Sequence, residues 1–61
     1  MGRIPLEKHQ LVQILDGSEW HGLYGVVEDI ICEIPIIFCI KRAWDRYWVY
    51  PELKDKIRVI G

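Results

Sequence analysis

The sequence predicts an all-β fold: a small barrel of five short strands, with a one-turn 3₁₀ helix before the last. Three observations carry this reading. Two apolar runs flank a loop punctuated by Gly17, Gly22 and Gly25, the pattern of strand, glycine-controlled turn, strand. Further β-branched and aromatic runs follow, each bounded by turn residues. Pro51–Lys56 then reads as a single helical turn, with proline at its first position where the missing N–H costs nothing, ahead of a closing apolar alternation.

The lead-in Met1 to Glu7 holds Gly2 and Pro5 and shows no clear period; Ile4 or Leu6 is expected to tuck against the barrel. Lys8 to Leu15 gives the first strand, with Val12 and Ile14 on one face and Leu11, Gln13 and Leu15 on the other. Apolar residues on both faces imply that part of the outer face is covered. Asp16-Gly17-Ser18 signals a turn, and Trp20 and His21 fall in the loop that follows. Leu23 to Cys32 is the longest strand, long enough to bend and serve both halves of a barrel. Gly25 heads it, at a position suited to a positive φ, a bulge or a close backbone approach.

Glu33 to Pro35 makes the next turn, and Pro35 belongs at a strand's first position or on an edge, since it cannot donate to a central ladder. A third strand follows, with Ile36, Phe38 and Ile40 facing the core. Arg42 to Arg46 reverses the chain, Tyr47 to Tyr50 is the fourth strand, and Ile57 with Val59 closes the sheet. The expected core is Val12, Ile14, Val27, Ile30, Phe38, Ile40, Val49, Leu53 and Val59. A phase error of one residue in the third strand would turn Ile37 and Cys39 inward instead.

The spacing Val12-x-Ile14-x-x-Gly17-x-x-Trp20-x-Gly22-x-x-Gly25-Val26-Val27-x-x-Ile30, about a third of the chain, resembles the KOW motif. In that motif paired aliphatics lead to a glycine, an aromatic, and then Gly-x-x-Gly-x-Val. The resemblance implies an SH3-like β-barrel, because KOW motifs form the opening hairpin of such barrels in ribosomal proteins and NusG-type elongation factors. It also implies that loop residues beside the motif, here Trp20, contact RNA or protein. Gly17, Gly22 and Gly25 are then structural residues of the motif. The order of four strands, a one-turn helix and a fifth strand is that of SH3-like barrels.

The 61 residues allow one domain, residues 1–61, with a small core, because a chain of this size buries only about 60% of its unfolded surface. Half of the residues are hydrophobic, which favours folding over disorder. The formal net charge is −1, unevenly spread: residues 1–33 carry two basic and six acidic side chains, and residues 34–61 six basic and three acidic. A near-neutral total argues against indiscriminate phosphate binding, which needs many Lys and Arg contacts. Cys32 and Cys39 are neither a CxxC pair nor a disulfide framework, so both are expected to pack as free thiols of a reduced, cytoplasmic protein. The most apolar run, Ile30 to Ile40, is interrupted by Glu33 and Pro35 and is about half the length needed to span a bilayer. No membrane association is expected.

Catalysis finds no support. His9 and His21 have no metal-ligand spacing around them, so neither a metal nor another cofactor is expected. Ser18 is the sole serine, lies in a turn without a nucleophile motif, and no threonine replaces it. Glu28 and Asp29 are adjacent in a strand and face opposite sides. A phosphate loop over Gly17 to Gly25 fails for want of the Gly-Lys-Ser/Thr ending and a following helix. No small-molecule substrate is implied.

The informative cluster is Lys41, Arg42, Trp44, Arg46, Tyr47 and Trp48, within eight positions around the reversal between third and fourth strands. Aromatic faces beside guanidinium groups stack bases or anchor protein interfaces. The competing reading makes Trp48 a core plug and the charges a solvated rim. The expected partner-binding set is therefore Trp20, Lys41, Arg42, Trp44, Arg46 and Tyr47. Three functional classes stay open: a non-enzymatic module docking on a protein or ribonucleoprotein assembly of the transcription or translation machinery, a direct RNA- or DNA-binding domain using the basic aromatic second half, and a structural accessory subunit.

Overall fold

The computed structural model describes residues 6–61. The expectations for Gly2, Ile4 and Pro5 lie outside the described residues. The chain is all-β: β1 (Leu11–Ile14), β2 (Tyr24–Ile31), β3 (Ile34–Phe38), β4 (Tyr47–Trp48) and β5 (Ile57–Val59) form one antiparallel sheet in the order β4-β3-β2-β1-β5. A 3₁₀ turn at Ile40–Arg42 follows β3, and a second at Pro51–Lys56 precedes β5. That second turn has the bounds its proline predicts. No ladder joins β4 to β5 among the described residues, so the sheet is open and barrel closure is not seen.

Two loop glycines take left-handed backbone, Gly17 at φ 79° and Gly22 at φ 86°, where a side chain would be strained. Gly25 differs. A Cβ there would lie 2.6 Å from Ile37 Cγ2 and 2.7 Å from both Cys39 Sγ and the Phe38 carbonyl oxygen, so its role is close packing of β2 against β3. The bulge is three residues further on: Val27 opposes Ile37 and Asp29 opposes Ile36, leaving Glu28 as the extra residue.

The β2–β3 hairpin is tighter than the sequence implies. Ile31 pairs with Ile34, and Cys32 and Glu33 form a two-residue loop, both at positive φ (52° and 67°), the pattern of a type I′ turn without its usual Asn or Gly. The expected turn at Glu33 to Pro35 is thus displaced towards the N-terminus. Pro35 sits at the second position of β3, fully buried, and its carbonyl accepts from the Val49 N–H at 2.9 Å.

The displaced turn sets the phase of β3. Ile37 and Cys39 are fully buried in the core with Val12, Ile14, Val27 and Val49, joined by Leu6, Trp20 and Tyr47. Of the expected inward set, Ile36 is buried but outside that cluster, Phe38 is only half-buried, and Ile40 is 75% exposed. The expected core places of Ile30 and Val59 are corrected likewise: both are exposed, Ile30 beyond the bulge and Val59 on the edge strand. Leu53 packs against the core from the second 3₁₀ turn. Of the two free cysteines, Cys39 is the packing thiol expected, whereas Cys32 is exposed at the hairpin tip.

Candidate binding surface

The glycine loop is held by side chains from within. Asp16 Oδ1 accepts from the Ser18 N–H at 2.9 Å and from the Ser18 hydroxyl at 2.7 Å, and Ser18 Oγ accepts from the Trp20 N–H at 3.0 Å. The Gly17 N–H donates to His21 Nδ1 at 2.9 Å, which gives this histidine a local structural role. Across the fold, the Tyr47 hydroxyl donates to Asp16 Oδ2 at 2.7 Å. Burial alone would push the Asp16 carboxyl up, but the bonds from Tyr47 and Ser18 outweigh it and leave it below its ordinary value. Burial, then the bond to Asp16 and its charge, pushes the Tyr47 phenol well up.

This network corrects two members of the expected partner-binding set. Trp20 is 8% exposed and Tyr47 6%, and their rings meet edge-on at 5.4 Å between centroids. Neither ring offers a face to a partner. The reason is geometric: two left-handed glycines turn the loop between β1 and β2, and Trp20 is the large apolar residue it carries into the core.

Arg42 and Arg46 are accessible but committed. The Arg42 guanidinium lies between two indoles, 4.8 Å from the Trp20 ring centroid and 5.2 Å from that of Trp44, and it pairs with Glu19 at 3.5 Å. Its Nε is buried with no hydrogen-bond partner among the described residues. Arg46 donates from Nε to Glu28 at 2.8 Å, reaches the carbonyls of Ala43 and Asp45 at 3.0 Å each, and lies 4.7 Å from the Phe38 ring centroid. Glu28 meets Arg46 from the bulge, so the bulge aims this carboxylate.

Trp44 is 74% exposed, as the neighbouring charges imply, and Lys41 is exposed too. Trp48 and Tyr50 stack at 6.4 Å, interplanar angle 19°, and both stay exposed, so Trp48 is no core plug. Surface residues missed from the sequence are Ile40, given to the core by the phase error, and Tyr24, which with Leu11, Gly25, Val26 and Phe38 lines an open groove of about 280 Å³. The signal was present in Leu11 and Leu15, apolar on the outer side of the first strand.

Among the described residues no group of His, Cys, Asp or Glu is arranged to hold a metal ion, and no helix is long and apolar enough to cross a membrane. Comparison of the chain with protein-family models, with curated proteins and with solved structures finds no match.

Proposed function

We propose that this chain is a non-enzymatic binding module of KOW-like, SH3-like type, which docks on a protein or ribonucleoprotein assembly of the transcription or translation machinery in the cytoplasm. The observation that carries the reading is Trp44, 74% exposed and held in place on Arg42. A solvent-facing indole stacked on a guanidinium presents the kind of aromatic anchor that dominates interface energies. The two left-handed glycines at 17 and 22 support the resemblance, since they fall where the motif calls for glycine.

A second reading, direct nucleic-acid binding, is favoured by Lys41, Lys54, Lys56 and Arg58, which form no salt bridge among the described residues. The two separate in one experiment. Capture of partners from nuclease-treated lysate by the wild-type chain, lost on Trp44→Ala, supports protein docking. Steeply salt-dependent binding of a generic oligonucleotide, untouched by Trp44→Ala, supports the alternative.

A further inference from the structure

Beyond the corner at Trp44, the outer face of the sheet carries a continuous apolar row. Leu11 lies opposite Val26, and Val26 opposite Phe38. Val12 opposes Val59, so Ile60 comes beside Leu11, where its N–H donates to the Leu11 carbonyl at 2.8 Å. Directly opposed positions share a face, which puts Ile60, Leu11, Val26 and Phe38 on one line across the sheet. Tyr24 and Ile40, 57% and 75% exposed, stand along it and give it depth.

The unpaired charge around this trough has one sign, since the Glu28 carboxylate near Phe38 is taken up by Arg46. Its lining contains no carboxylate; the adjoining hollow shares Tyr24 and Ile40 and adds Lys41. In the neighbouring cross-strand row Arg58 opposes Gln13, which opposes Tyr24, so Arg58 faces the same side. Lys8, Arg42 and Arg46 each pair with a carboxylate, whereas Lys41 and Arg58 pair with none among the described residues. An apolar floor with unpaired cations at its margin is complementary to a chain that brings apolar side chains and carboxylates together. Nucleic acid would also bring anions, but the floor of Leu11, Val26 and Phe38 holds no polar side-chain atom to read a base edge. Most of the row is aliphatic rather than a stacking platform.

We infer that this trough binds an acidic, apolar segment of a protein partner, its apolar side chains lying along Leu11, Val26 and Phe38 and its carboxylates meeting Lys41 and Arg58. The inference rests on the reading of the chain as a binding module and specifies the partner's chemistry.

The test uses labelled peptides and fluorescence anisotropy. One peptide alternates Asp and Glu with Leu and Phe; a second replaces the acids by Lys, a third the apolar residues by Ser, and labelled oligouridine is the nucleic-acid probe. The acidic apolar peptide should bind tightest and move the amide NMR signals of Leu11, Tyr24, Val26 and Ile40. Tyr24→Ser should weaken it about tenfold, and Lys41→Glu combined with Arg58→Glu should shift preference to the Lys peptide with the circular dichroism unchanged. Equal binding of all three peptides, signal changes elsewhere, or preference for oligouridine overturns the assignment. If Trp44→Ala abolishes capture from lysate while the charge reversal changes neither capture nor peptide preference, the trough is overturned and the binding-module reading stands.

Discussion

Asp16 and Gly25 exert their effects through short contacts that replacement would remove or crowd. Tyr47→Phe deletes the hydroxyl that donates to Asp16 Oδ2 and should cost about 1.5 kcal/mol at neutral pH, the order of a hydrogen bond to a charged group. The sign of its pH dependence follows from the Asp16 carboxyl lying below its ordinary 3.8 in the folded chain. That contribution is fully present above 3.8 and is lost as pH falls through the lower folded value, so wild type and variant should converge in acid. The Tyr47 phenol, pushed above its ordinary 10.0, adds a loss of wild-type stability on the alkaline side of that value. Urea unfolding across the pH range checks both limbs; a difference that widens in acid would refute the assignment. Gly25→Val should destabilise by about 1 to 3 kcal/mol through overpacking against Ile37, Cys39 and the Phe38 carbonyl, not through a forbidden φ. Gly25→Ala should already show part of that loss in its denaturation midpoint.

The five strands and the 3₁₀ turn at Pro51–Lys56 were legible because punctuation marks them: Asp16-Gly17-Ser18 before the loop, Pro51 at the head of the turn. The phase of β3 was not, for two physical reasons. Ile34 to Ile40 is apolar at every position, so no alternation reports which side faces inward. The true turn residues, Cys32 and Glu33, are poor left-handed residues, and the bulge at Glu28 shifts the partner register besides. The corrected phase gives a sharp contrast. Ile37→Ala should cost about 2 to 5 kcal/mol, and Ile40→Ser should stay within about 0.5 kcal/mol, measured by chemical denaturation. Equal losses would restore Ile40 to the core. Likewise, nothing in the spacing of Trp20 and Tyr47 reveals that both rings turn inward, whereas the exposure of Trp44 is legible from its charged neighbours.

At the scale of the whole molecule, a chain this small has little stability to spare, yet it leaves Tyr24, Ile40, Trp44, Trp48 and Tyr50 in solvent. Exposed aromatic and aliphatic side chains of this kind are what the proposed binding role calls for. Trp44→Ala should therefore weaken partner binding by about 2 kcal/mol or more while changing stability by about 0.5 kcal/mol. Paired pull-down and thermal melts distinguish this from a structural role: a large drop in melting temperature with binding retained would move the interface away from Trp44. The variant also uncovers Arg42, whose guanidinium keeps Trp20 as its remaining aromatic neighbour.

The hairpin tip offers an experimental handle without any mutation. Cys32 stands exposed on its two-residue loop, whereas Cys39 is fully buried and burial pushes its thiol up, away from the reactive thiolate. A maleimide dye or nitroxide at neutral pH should thus form a single adduct on the native chain, seen as one mass increment, with a second appearing only in denaturant. The label would sit at the end of β2 and β3, a fixed point from which distances to a docked partner can be read.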